Sequence, residues 1–247
     1  MKRRYTSSVL KTLIYGSAGL TVISLLFLLA YILIQGVPHL NLDLFAWEYT
    51  SENVSLVPAL INTILMVLLS LLIALPLGIA TSIYLVEYSN QKGRFVELIR
   101  LTAETLSGIP SIIYGLFGYL FLVIFLGMGY SLVSGTITMS MMILPLIMRT
   151  TEEALKAVPD TYREASLALG AGKVHTIFKV ILPAATTGII SGVILATGRV
   201  VGETAALIYT AGTIAKIPEN LFSSTRTLSV HMYLLSSEGF HTDEAFA

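Results

Sequence analysis

Apolar residues in this chain fall into long unbroken runs, without the alternating or three-to-four-residue stripes of a water-soluble domain. From Thr105 to Met148 there is not one Asp, Glu, Lys or Arg. A soluble globule has no use for such a stretch, whereas two bilayer crossings need about 20 apolar residues each. The pattern predicts five spans, at 13–34, 57–86, 109–126, 130–148 and 184–209. Backbone groups in hydrocarbon must pair within the chain, so every span is expected to be a helix and the fold class all-α. Pro76 and Pro145 lie inside spans, and the Pro76-Leu77-Gly78 run is expected to bend the second one. The first run is too long for the core of a signal peptide, and no clear small-x-small site follows it, so it reads as retained.

Charge adds orientation. Four basic residues precede or begin the first span (Lys2, Arg3, Arg4, Lys11), three lie in 87–104 (Lys92, Arg94, Arg100), and five in 149–183 (Arg149, Lys156, Arg163, Lys173, Lys179). The opposite side holds Lys216 and Arg226, and Arg199 lies within the fifth span. This bias places the N-terminus and the two richer loops in the cytoplasm. The whole chain, 1–247, reads as one transmembrane domain with a cytoplasmic loop at 149–183. It stops at Glu244-Ala245-Phe246-Ala247 after a polar stretch, as though another apolar run were about to begin, and loss of a sixth span by truncation is the expectation.

Composition agrees, with 55% apolar residues and 12% charged where soluble domains carry about 25%. Zero net charge gives no reason to expect a nucleic-acid partner, and the absence of cysteine excludes thiol chemistry and disulfides. The four histidines show no ligand spacing, so no metal site is expected. Gly170-Ala171-Gly172-Lys173 imitates part of a phosphate loop, but the first glycine is missing and Val174 stands where a hydroxyl would hold magnesium. No serine-hydrolase or zinc-protease motif is present, which weighs against the rival class, a membrane-embedded hydrolase. A secondary transporter, the other rival, often shows inverted repeats, and none is visible.

The 149–183 loop has a helical grammar of its own. Pro159 and Asp160 suit a helix start, Gly170-Ala171-Gly172 a stop, and a second helical piece then runs to Pro183. Small Ala165, Ser166 and Ala168 would let a partner approach closely. An undistinguished cytoplasmic loop would satisfy the same grammar.

The order of residues says more. Glu164-Ala165-Ser166, Gly170 after three residues, and Val180-Ile181-Leu182-Pro183 after nine more resemble the EAA loop of ABC-importer permeases. The family pattern is E-A-A, three residues, G, nine residues, I-x-L-P; Ser166 and Val180 are small departures from it. The resemblance implies the six-span transmembrane fold of type I ABC importers. It also implies that Glu164, Ala165, Ser166, Gly170, Leu182 and Pro183 belong to a coupling element seated on a separate ATPase, with Gly170 making its turn.

Three further segments narrow the family: Ser107 to Gly115, Leu144 to Leu155, and Arg199-Val200-Val201-Gly202-Glu203-Thr204-Ala205. Over about 60–210 the chain is similar to the PstA-type permeases of bacterial phosphate importers. PstC-type sister subunits usually have Met where Ala205 stands. The resemblance implies an inner-membrane transport subunit, not an enzyme, for ATP-driven uptake of inorganic phosphate. The implied partners are a PstC-type permease, two PstB-type ATP-binding subunits and a PstS-type phosphate-binding protein. ATP and magnesium would sit on partner subunits, with no cofactor in this chain. The alternatives are another oxyanion, such as sulfate or molybdate, or the PstC-type role.

Arg199 and Glu203 stand mid-span four residues apart, on one helical face, where Glu203 would hold Arg199 in place. Each charge costs about 2.5–3.5 kcal/mol at mid-membrane on insertion scales, which suggests a wetted path with Arg199, Glu203 and Thr204 on it. An Arg199–Glu203 ion pair that merely joins helices is the alternative. Gly188-x-x-x-Gly192 and Gly198-x-x-x-Gly202 in the same span would permit close helix packing, at a subunit interface among other places.

Overall fold

Long apolar runs decide that helices form, and small or hydroxyl-bearing residues decide which of them meet. The computed structural model describes residues 2–89, 93–239 and 243–246, with side chains from residue 10 onward. The side chains of Lys2, Arg3 and Arg4, with Lys92, His241 and Ala247, lie outside the described residues. The main helices are α1 (Lys2–Gly36), α2 (Val57–Ile83), α3 (Arg94–Ser107), α4 (Ser111–Gly118), α5 (Leu132–Ala157), α6 (Asp160–Ala168), α7 (Lys173–Thr176), α8 (Leu182–Val201), α9 (Ala205–Thr210) and α10 (Leu228–Glu238). Wider π-turns extend α2 (Tyr84–Tyr88) and α4 (Tyr119–Phe125) and join α7 to α8 (Ile177–Ile181).

Among the described residues, four helical stretches are long and apolar enough to cross a membrane: Leu10–His39, Val57–Tyr88, Leu132–Ala157 and Lys173–Val201. The pair Arg94–Ser107 and Ser111–Phe125, bent by 98°, gives a fifth if counted as one span. The bend falls at Pro110, which has no amide to donate and disfavours helical geometry at Ile109. Tyr114 staples it, its hydroxyl donating to the Leu106 carbonyl at 2.9 Å.

α5 is the central element, with 67% of its most apolar window buried against 33% for α2 and 22% for α8. Bare glycines on α2 and α8 bring both helices onto it. A Cβ on Gly78 would lie 2.7 Å from the Ile147 side chain, one on Gly188 would lie 2.6 Å from Ala154 Cβ, and Gly192 sits directly on Thr150. Hydroxyls add bonds across the α2–α5 seam: Ser82 donates to the Met148 carbonyl at 2.7 Å and Ser140 to that of Ser70 at 3.2 Å. The first glycine pair of α8 is therefore used inside the chain. Gly198, of the second pair, faces open space.

Several helices run past the apolar segments that mark the expected spans. α2 is a single helix with Pro76 inside it. α5 runs past the charged Arg149 to Ala157 because Glu152, only 6% exposed, is held by Arg100 at 2.7 Å and Lys156 at 2.6 Å. The helix that carries the last span starts at Lys173, upstream of 184, and passes Pro183 without a break. A π-turn just before Pro183 absorbs the missing amide and the ring. The connection between spans thus shrinks to residues 158–172. At its far end the same span stops at Val201 and resumes as α9.

Beyond α9 the chain loops back over the start of α5. Asn62 donates to the carbonyls of Lys216 at 3.0 Å and Arg226 at 3.1 Å, and the Leu228 amide donates to Thr63 Oγ1 at 2.8 Å. These bonds seat the start of α10. α1 differs from every other span: its most apolar window is not buried at all.

Candidate functional site

The break between α8 and α9 lies level with the middle of α5. Gly192 meets Thr150 and Ala211 meets Gly135, so the residues between them run alongside the middle of α5. At about 1.5 Å per residue, Arg199 falls close to the midpoint of α5. It sits beside Ala196 and Val200, which are buried in the main core with Ile143 and Ile147.

Gly202 ends α8, and Glu203 and Thr204 turn the chain into α9. Glu203 is 9% exposed, and its carboxylate accepts the Ala206 amide at 3.1 Å, capping α9. Its backbone carbonyl accepts from Ser229 Oγ at 2.6 Å, tying the break to α10. Acid at a helix start is favoured by the unpaired amides there. Once the helix stops at Val201, the four-residue register between Arg199 and Glu203 no longer applies. The expected ion pair is therefore not formed: Arg199 has no hydrogen bond or ion pair with any described residue, although Tyr114 lies within reach of its charge. Thr204 is half-buried at the break, and its hydroxyl has no partner among the described residues. α4 closes the other side: a Cβ on Gly115 would lie 2.8 Å from Ala206 Cα and 3.3 Å from the Ala205 carbonyl oxygen, so only glycine lets the two backbones approach this closely.

The second candidate region is the connection 158–172. Glu164 and Ala165 are exposed on α6. Ser166 is not available to a partner as expected: it turns inward and its hydroxyl pairs with Thr176 Oγ1 at 2.9 Å. Gly170 takes φ +85°, the left-handed turn a glycine permits. Leu182 packs half-buried against the apolar cluster of Ile83, Leu155 and Ile181, and Pro183 is exposed on the first turn of α8. An open groove of about 590 Å³ runs along α6, lined by Tyr162, Ala165, Leu169, Ala171 and His175. Leu169 at its lip is 90% exposed. Among the described residues no group of three or more His, Cys, Asp or Glu could hold a metal.

Two charged pairs went unremarked in the sequence: Glu152 with Arg100, and Glu87 with Arg163 at 2.7 Å. A lone acid at the end of an apolar run, with Arg163 directly preceding the Glu164 motif, is the signal that would have pointed to the second.

Comparison with known proteins follows from this geometry. The family model described as "Binding-protein-dependent transport system inner membrane component" matches residues 74–225. The chain is 34% identical to the probable ABC transporter permease protein YqgI of Bacillus subtilis (strain 168), over 100% of this chain and 89% of that one. It is 32% identical to the phosphate transport system permease protein PstA of Mycobacterium leprae (strain TN), covering 90% of this chain and 74% of the relative. With PstA of Xylella fastidiosa (strain 9a5c) the identity is 34%, over 86% and 75%. Among solved structures, the inward-facing MetNI methionine ABC transporter (CY5 native crystal form) superposes with a TM-score of 0.53 at 20% identity, covering 74% of this chain and 77% of that one. The last comparison concerns the fold.

Proposed function

Since the chain belongs to the family of inner-membrane components of binding-protein-dependent transport systems, we propose that it is the PstA-type permease subunit of an ATP-driven importer of inorganic phosphate. It is a transport subunit, not an enzyme, and ATP hydrolysis falls to a separate partner. The phosphate reading is carried by one observation beside the relatives' names: Arg199 is a cation level with the middle of α5 that makes no hydrogen bond or ion pair with a described residue.

A guanidinium without a direct ion pair at that depth is costly, and a passing oxyanion relieves the cost. The planar fork of arginine suits two oxygens of phosphate at once. Thr204 offers a hydroxyl donor at the same break. Glu203, held by the Ala206 amide, places a fixed negative charge nearby, which keeps the anion from settling too tightly to leave.

In this reading the N-terminus and the 158–172 connection face the cytoplasm, in line with the basic residues of those loops. The groove along α6 seats on an ATP-binding subunit. Glu164 and Ala165 make contact there, Gly170 shapes the turn, and Ser166, Leu182 and Pro183 anchor the element to α7 and α8. A PstC-type permease, two PstB-type ATP-binding subunits and a PstS-type phosphate-binding protein complete the assembly. ATP and magnesium belong to the partners. Arg199→Gln should abolish phosphate uptake while leaving the subunit assembled, and Arg199→Lys, which keeps the charge without the fork, should retain a fraction. Normal uptake by Arg199→Gln contradicts the assignment.

A further inference from the structure

The end of the molecule that carries the 158–172 connection contains a joint centred on Glu87 and Arg163, neither of which belongs to the family motifs. The last turn of the α2 span, Tyr84–Tyr88, is a π-turn, and both helices of the connection grip it. Arg163 on α6 reaches Glu87 with two nitrogens, Nε at 3.0 Å and Nη2 at 2.7 Å from Oε1. Its remaining donors close the end of α5: Nη2 donates to the Leu155 carbonyl at 3.0 Å and Nη1 to that of Val158 at 2.9 Å. Nη1 also lies 3.2 Å from Asp160 Oδ1. On the other side of the connection, Lys173 Nζ stands 4.7 Å from the centre of the Tyr88 ring.

Beneath this polar layer, Ile83, Val86, Leu155, Val158, Ile177 and Ile181 form one buried apolar cluster. Three spans therefore converge under a single guanidinium. Ser166, bonded to Thr176, adds the tie from α6 to α7 and thence to α8, which carries Arg199.

We infer that Arg163 is a positioning residue for coupling: it makes α6 move as one body with the ends of α2 and α5. The reason is physical. The Glu87 and Arg163 side chains are only 9% and 18% exposed, where an ion pair is weakly screened and its geometry is held by several bonds at once. Four of the five nitrogen–oxygen contacts of Arg163 reach outside its own helix. Displacement of α6 by a partner is passed to α2 and α5 through these bonds; without them α6 can shift on its short tethers while the spans stay behind. Packing alone leaves such slippage possible because the α6 surface is mostly exposed.

The inference rests on the proposal that an ATPase drives this subunit through α6. The test uses the whole reconstituted importer in vesicles and reads two rates together, ATP hydrolysed and phosphate delivered. Arg163→Gln and Glu87→Gln should each lower phosphate delivered per ATP by about tenfold, with Arg163→Lys between them and the wild type. A loss of folded subunit lowers both rates equally and leaves the ratio untouched, so the ratio separates coupling from stability. Should Arg163→Gln fail to assemble, Glu87→Gln carries the same test. An unchanged ratio in the variants overturns the role of Arg163. Failure of the wild type to link hydrolysis with phosphate delivery instead overturns the functional reading beneath it.

Discussion

Single residues in this chain are best understood by asking what each backbone or charge would otherwise lack. Gly170 holds φ +85° with no atom within 4 Å of a would-be Cβ, so a substitution there meets strain, not a clash. Gly170→Ala should cost about 1 kcal/mol of local stability, seen as easier proteolysis at the connection. Gly170→Trp should in addition uncouple hydrolysis from transport; unchanged coupling counts against the turn's role. His231 gives a pH prediction outside the spans. It is 3% exposed, its ring stands edge-on to Tyr49, and Arg226 Nη1 lies 3.3 Å from Nδ1. Arginine can only donate, so Nδ1 accepts and the ring is neutral. Burial first, and Arg226 second, lower its pKa from 6.5 to about 4. The stabilisation from neutral His231 is therefore full above 6.5 and is lost as pH falls toward 4. Thermal unfolding in detergent should show that decline, and His231→Gln should flatten it; an equal slope in the variant sinks the account. Arg199 was legible in the sequence as a charge within an apolar run. Its lack of a partner was not, because counting four residues to Glu203 assumes a helix that Gly202 ends.

At the scale of elements, the helices run past the ends of the apolar runs that mark the expected spans, for local reasons. Hydropathy stops at Arg149, yet α5 continues since Glu152 is neutralised by Arg100 and Lys156. Pro183 looked like a boundary, yet the preceding π-turn carries the helix through it. Motif spacing likewise marked two glycine pairs on α8 as equals, although only contact geometry tells them apart. Gly192 lies against Thr150 whereas Gly198 faces open space. Gly192→Leu should therefore prevent stable folding of the subunit, and Gly198→Leu should leave the isolated subunit's thermal midpoint nearly unchanged. Similar losses from both would contradict the packing of α8 on α5. The 158–172 connection was legible as helix, turn and helix, but Ser166 was read as outward because small size alone does not reveal which way a hydroxyl is turned.

For the whole molecule, the fold and family agree from independent directions: a bundle centred on α5, a broken span beside it, and a helical connection at the basic end. α1 stands apart with an unburied window, so much of its apolar surface is left for lipid or another subunit. In the proposed reading the chain supplies the path and the joint, and ATP hydrolysis lies with a separate subunit. The most direct test of that claim is ATP hydrolysis by the complete importer in vesicles, stimulated by its binding protein loaded with phosphate or with sulfate. The account predicts stimulation with phosphate and little with sulfate; stimulation by sulfate and none by phosphate would contradict it.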